Sequence, residues 1–285
     1  MDVATKRREI ALPAGPVHYR ESGPADGRPV VFVHGFLVDD TLWSDVPERL
    51  AEAGFHTFAP TWPLGSHPTA MHDGADLSPR GLARVVLSFL ETLALEDVIL
   101  VGSDTGGGVC QLLVDEDPSR VGRLVLTNCD AFETFPPFPF NLLFRLGRHP
   151  GPLRLVLQSM RPARLRNSKL GFGWLVRRDL APEESRRWVT PYLTDAGVRR
   201  DLASFCRAWR PDALSEASER LAKLDRPVLL CWAPGDPFFK YELAQRLLRT
   251  CPDATLVDFR GARTFVALDQ PERLAEEILR WAQEG

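Results

Sequence analysis

The sequence has no uninterrupted apolar run approaching roughly 18 residues, so it offers no segment suited to a membrane-spanning helix. It also has little net charge, formally -3 over 285 residues, which excludes the strongly basic balance of a general nucleic-acid binder. Its five cysteines show no C-x-x-C spacing. That argues against a disulfide framework or a thiolate metal site and makes Cys110, Cys129, Cys206, Cys231 and Cys251 small core residues of a reducing compartment. Residues Met1 to Ile10 carry no apolar signal core. We therefore expect a cytoplasmic protein with no stable membrane insertion and no nucleic-acid partner. Histidine is missing altogether after His149, although six precede or occupy that point.

What is present is ordinary in amount and informative in order. Apolar residues make up 44% of the chain and charged residues 26%, and the length suits one large α/β domain carrying an insertion. Residues 8 to 21 read as a hairpin around Pro13-Ala14-Gly15-Pro16. Pro29-Val30-Val31-Phe32-Val33, residues 55 to 60, the run from Val98 and Arg123-Leu124-Val125-Leu126-Thr127 read as strands. Helical patterns lie between them, the clearest over 78 to 94, where Ser78 and Pro79 are start signals. The alternation predicts a mostly parallel sheet with helices on both faces.

The run Val98-Ile99-Leu100-Val101 breaks at Gly102 and resumes as a helix after Gly106, with Asp104 at the bend. Glycines two before and two after the central residue are where a sharp strand-to-helix turn needs no side chain. The pattern G-x-Asp-x-G is a nucleophile elbow with a carboxylate at its apex. The spacing fits neither G-x-G-x-x-G nor G-x-x-x-x-G-K-[ST], so neither a nucleotide nor any other cofactor is expected. A single Asp-Thr-Gly does not make the paired carboxylates of an aspartic protease. A structural turn with a helix-capping Asp is the remaining alternative. The strand at Val30 ends in His34-Gly35-Phe36, so the N–H groups of Phe36 and Thr105 form a candidate donor pair for an oxyanion. His34 itself reads either as a turn-bracing core histidine or as part of a pocket. Trp62 and His67, in the loop after residue 60, lie at the carboxyl edge where open α/β sheets bind ligands, or else they pack that loop.

From about 131 to 222 the pattern is helical and broken by prolines, and strand logic returns at Pro227-Val228-Leu229-Leu230. This reads as a helical cap, 131–222, inserted into a core of 1–130 and 223–285. Its start holds Phe132, Phe135, Phe138 and Phe140 among prolines, a hinge or a pocket wall. Between Thr134 and Arg178 there are nine Lys or Arg (Arg145, Arg148, Arg154, Arg161, Arg164, Arg166, Lys169, Arg177, Arg178) and no Asp or Glu. This is either a solvated basic face or a surface for an anionic substrate, a carrier protein or a membrane.

With these motifs in hand, the sequence resembles the α/β-hydrolase superfamily, and is most similar to its Asp-nucleophile branch of epoxide hydrolases and haloalkane dehalogenases. The resemblance implies that Asp104 attacks carbon and that an alkyl-enzyme ester is then hydrolysed by a His held by an acid. It implies a small-molecule substrate, Asp236 in Trp232-Ala233-Pro234-Gly235-Asp236-Pro237 as the acid, and a base in a G-x-x-His-Phe segment. Here that segment is Gly261-Ala262-Arg263-Thr264-Phe265, with Thr264 where the histidine belongs. Threonine is no general base near neutral pH. Thr105 stands where the dehalogenases carry Trp, Leu37 where the epoxide hydrolases carry Pro, and Tyr192 is the only cap tyrosine. Three readings follow. In the first, a hydrolase for a small apolar electrophile uses His67, His34 or a carboxylate-held water as base, with His34, Trp62, Phe132, Phe135, Tyr192 and Thr264 lining its pocket. In the second, a non-hydrolytic enzyme uses Asp104 as acid or base. In the third, a retired hydrolase binds a ligand.

Overall fold

The computed structural model describes residues 5–283. Eight strands form one sheet in the order β1-β2-β4-β3-β5-β6-β7-β8. They are β1 (Lys6–Leu12), β2 (Gly15–Ser22), β3 (Pro29–Val33), β4 (His56–Pro60), β5 (Val98–Asp104), β6 (Val121–Cys129), β7 (Val228–Trp232) and β8 (Ala254–Asp258). β1 and β2 form an antiparallel hairpin, β2 also pairs antiparallel with β4, and the other pairings are parallel. The α/β expectation holds.

The buried apolar runs explain the layering. Successive strand residues face opposite sides, so the continuous Val-Val-Phe-Val and Val-Ile-Leu-Val runs feed both faces of the sheet. On one face Val30, Phe32, Ile99 and Val101 pack with helices Val46–Glu52 and Pro271–Gln283, through Leu50, Leu274 and Ile278. On the other, Val31, Val33 and Leu100 pack with helices Pro79–Thr92 and Thr105–Glu116, through Phe89 and Leu112. Between β3 and β4 a 3-10 turn at Asp40–Trp43, capped by Asp39, precedes the short helix Val46–Glu52.

Between β6 and β7 the chain runs through helices Phe140–Gly147, Pro150–Ser159, Ala163–Arg166, Pro182–Thr194, Ala196–Ala208 and Ser215–Arg220. Phe144 sits at their centre, edge-on to Phe135, Phe205 and Trp209. The last helix is tied to the elbow helix, since Ser218 Oγ donates to Gln111 Oε1 at 2.7 Å and accepts from Phe132 N–H at 2.8 Å. Among the described residues no helix is long and apolar enough to cross a membrane.

Candidate active site

β5 is a central strand, and its last residue, Asp104, has φ 54° and ψ -132°, a conformation side-chain-bearing residues rarely adopt. The turn is held by what its neighbours lack. A Cβ on Gly106 would collide with the Val33 carbonyl, and one on Gly35 would land on the Asp104 carboxylate. That close approach lets Phe36 N–H donate to Asp104 Oδ2 at 3.1 Å. Gly35→Ala is therefore expected to lower the melting temperature by roughly 3–10 °C, the effect of overpacking at one site. It is also expected to abolish reactivity at Asp104; a folded variant with unchanged melting and reactivity would refute this account of the turn.

The Asp104 carboxyl is only partly exposed, and its desolvation pushes the pKa up to about 7, against the pull of the Phe36 and Thr105 N–H groups and with a further push from Asp236. It faces a cavity of ≈ 370 Å³ whose wall is nearly all apolar, including Phe36, Phe144, Leu157, Phe172 and Trp174. Asp104 is the one acidic residue on that wall, with Thr105 and Lys169 its other polar side chains. A wider cleft of ≈ 490 Å³ lies elsewhere, and its charged walls are already paired, Arg187 bridging Asp39 and Asp40.

Asp236 follows β7 in a tight turn. Its Oδ1 accepts from the N–H groups of Phe238 and Phe239 at 2.7 and 2.9 Å, and its Oδ2 accepts from the Thr264 hydroxyl at 2.6 Å. Burial raises the Asp236 pKa in spite of these bonds. Thr264 is fully buried and absent from the cavity wall, so it satisfies Asp236 without presenting a base to the cavity.

The histidines expected near the site are engaged elsewhere. Trp62 N–H donates to His34 Nε2 at 2.8 Å, which puts the proton on Nδ1, facing the Gly35 carbonyl at 2.9 Å. Burial lowers the His34 pKa, and the neutral ring braces the turn. His67 Nε2 lies 3.2 Å from Asp201 Oδ2, which also accepts from Met71 N–H at 2.7 Å. Burial pushes Asp201 up, but the bonds from His67, Met71 and Arg200 hold it below the ordinary carboxylate range. This pair fastens the loop after β4 to helix Ala196–Ala208.

None of His34, Trp62, Phe132, Phe135, Tyr192 and Thr264, the residues expected to line a substrate pocket, lines this cavity. Trp62 Nε1 donates to the Phe32 carbonyl at 2.9 Å. The Phe132 ring lies under the Arg246 guanidinium at 3.7 Å, and the Phe135 carbonyl accepts from Trp209 Nε1 at 2.7 Å. The Tyr192 hydroxyl donates to the Pro150 carbonyl at 3.1 Å. The signals for these residues were the sheet edge, the proline-rich start of the inserted segment and the family motifs, and none of them reports which way a side chain turns.

One residue escaped sequence reasoning. Asp130, just past β6, is fully buried, and neither carboxylate oxygen has a hydrogen-bond partner among the described residues. Its backbone N–H donates to the Asp104 carbonyl at 3.3 Å. Burial, then the charge of Asp104, raise its pKa well above the ordinary carboxylate value. An acid ending the strand beside the elbow strand was the available signal. Among the described residues no group of three or more His, Cys, Asp or Glu is placed to hold a metal ion.

Comparison with known proteins agrees with this architecture. A sequence profile for the alpha/beta hydrolase family matches residues 30–277. Haloalkane dehalogenase 2 of Mycobacterium tuberculosis H37Rv is 28% identical over 283 residues, covering 93% of this chain and 91% of that protein. The cis-3-alkyl-4-alkyloxetan-2-one decarboxylase of Xanthomonas campestris pv. campestris is 26% identical over 291 residues, covering 96% and 94%. In three dimensions, haloalkane dehalogenase DbeA from Bradyrhizobium elkani USDA94 superposes with a TM-score of 0.77 at 19% identity, over 98% of this chain and 97% of that one. The profile spans most of the sheet, the elbow and the segment around Thr264, and on that ground the chain belongs to the alpha/beta hydrolase family.

Proposed function

We propose that this member of the alpha/beta hydrolase family acts on a small, largely apolar electrophile, an epoxide, ester, lactone or alkyl halide, through a covalent ester on Asp104. The observation that carries the reading is a single carboxylate set in an apolar cavity of ≈ 370 Å³, one oxygen held by Phe36 N–H at 3.1 Å and the other left to attack. The dehalogenase likeness supports the substrate class. In the first step an Asp104 oxygen bonds to carbon while the bond to the leaving group breaks.

A second reading of the release step rests on the Thr264–Asp236 hydrogen bond, which stands where a water-activating base is expected. Some reactions need no water. When a carboxylate opens an oxetan-2-one at the carbon bearing the ring oxygen, the ring carboxylate is freed β to the new ester. Loss of CO₂ from it forms the alkene and expels the Asp104 carboxylate unchanged, so atoms and charge balance without an added proton or base. The relative described as an oxetan-2-one decarboxylase supports this class of substrate.

The test exposes the protein to a 1-bromoalkane, a terminal epoxide and a cis-dialkyl oxetan-2-one and reads intact mass and products in oxygen-18 water. The expected results are one alkyl adduct with the bromide, mapped to Asp104, and alkene release from the oxetanone with no label in the Asp104 peptide. No adduct and no product with any of the three sinks the covalent reading. Oxygen-18 in the Asp104 carboxylate during oxetanone turnover overturns the water-free release.

A further inference from the structure

Four large apolar side chains are exposed among the described residues: Phe138 (73%), Leu142 (44%), Leu155 (69%) and Leu170 (73%). Single exposed leucines are unremarkable on any protein. These four all fall within 33 residues, 138 to 170 of the sequence, and each either lines the Asp104 cavity or is next in sequence to a residue that does. Leu142 and Leu170 are on its wall, Phe138 adjoins the wall residue Pro139, and Leu155 adjoins Val156. Helices Phe140–Gly147 and Pro150–Ser159 bury Phe144, Leu153 and Leu157 inward, so these apolar residues are left over from the packing of the cap.

The cations lie on the same segment. Arg145, Arg154, Arg161, Arg164, Lys169 and Arg177 are exposed. The only ion pair that residues 134–178 make among the described residues is Arg178 with Glu184. No acidic side chain occurs in that stretch to neutralise the others. Unpaired cations interleaved with protruding Leu and Phe form the pattern of a surface that seats in the headgroup region of an anionic bilayer.

We propose that this face of the helical segment between β6 and β7 docks on an anionic lipid bilayer, with Phe138, Leu142, Leu155 and Leu170 entering the acyl boundary and the exposed cations meeting lipid phosphates. The cavity mouth then opens toward the phase in which an apolar substrate is most concentrated. Docking places no demand on the chemistry of Asp104, and the two are tested apart.

The experiment is co-sedimentation of the full chain with phosphatidylcholine vesicles, with and without about one third phosphatidylglycerol, over a range of salt. Binding is expected on the anionic vesicles, falling steeply as salt rises and nearly lost on the neutral ones. The triple variant Arg154→Ser, Arg161→Ser, Arg164→Ser should weaken it about a hundredfold, at about fivefold for each cation removed near an anionic surface. Phe138→Ser with Leu155→Ser should weaken it on anionic vesicles while keeping the salt dependence. Both variants change exposed side chains, and thermal melting confirms that each is folded. Asp104→Asn should bind as the unaltered chain does. Equal binding to neutral and anionic vesicles, no binding to either, or unchanged binding by both folded variants overturns the proposal. So does failure on vesicles together with tight binding to an acidic acyl carrier protein, which assigns the face to a protein partner.

Discussion

Thr264→Ser should behave like the native protein, whereas Thr264→His should raise steady-state alcohol release from a 1-bromoalkane about 10²- to 10⁴-fold, the worth of a positioned general base. Thr264 Oγ1 already donates to Asp236 Oδ2 at 2.6 Å. An imidazole grafted at the same Cβ can give that bond from its Nδ1–H, which leaves Nε2 unprotonated on the far side of the ring and free to act as the base for the water that hydrolyses the ester. The site is fully buried, so the larger ring costs about 1–3 kcal/mol in repacking. A bromoalkane is the discriminating substrate because its ester carries no carboxylate to drive internal release. The unaltered protein should therefore stop after one adduct per chain, and the variant should not accumulate the adduct. Intact mass and alcohol release, measured on the same sample, decide it. A folded Thr264→His that still accumulates the adduct would show that the missing imidazole is not what limits the second step.

Asp104→Asn should abolish the adduct entirely and also stabilise the protein above neutral pH. The first half follows from chemistry, since an amide oxygen does not displace a leaving group from carbon at a useful rate, while the Asn oxygen can still accept from Phe36 N–H. The second half follows from linkage. The Asp104 pKa is about 7 in the folded chain against 3.8 for the ordinary group, with burial as its main cause. Between these values the folded state keeps a proton that the unfolded chain has lost, so stability falls as pH rises through that window. Asn carries no such proton and does not share the loss. The variant should melt higher than the native protein at pH 8 by an amount on the order of 2 kcal/mol, or roughly 5 °C, and no higher at pH 4. The same pKa sets the reactivity of the native protein: adduct formation should climb about tenfold per pH unit below 7 and level off above it. A flat profile, or a variant no more stable at pH 8 than at pH 4, would show that Asp104 is ionised well below neutrality.

Both predictions join a feature readable in one dimension to one that is not. Gly102, Asp104 and Gly106 announce the elbow through spacing alone, because a strand-to-helix turn this tight tolerates few residue types. The Val-Val-Phe-Val and Val-Ile-Leu-Val runs announce strands buried on both faces. Thr264 stands where the family resemblance leads one to expect a histidine, and the structure adds that its hydroxyl is spent on Asp236.

The direction and pairing of the remaining polar and aromatic side chains were open. His34 could have faced a substrate or the protein, and Trp62 N–H, 28 residues away, decides for the protein. His67 is taken by Asp201, 134 residues on, at a distance no local pattern spans. Tyr192 and Phe135 looked like a pocket wall and are supports, while Phe172 and Trp174 form the wall. Asp130 gave little sign in the sequence, because its importance is its burial beside Asp104 without a partner. By itself the sequence determined the sheet, the tight turn at Asp104, the carboxylate after β7 and the lack of any histidine after His149, since each depends on residue type and short spacing along the chain. Only the tertiary structure decided which groups line the cavity at Asp104, because that depends on hydrogen-bond partners and helix packing contributed by residues far apart in the chain.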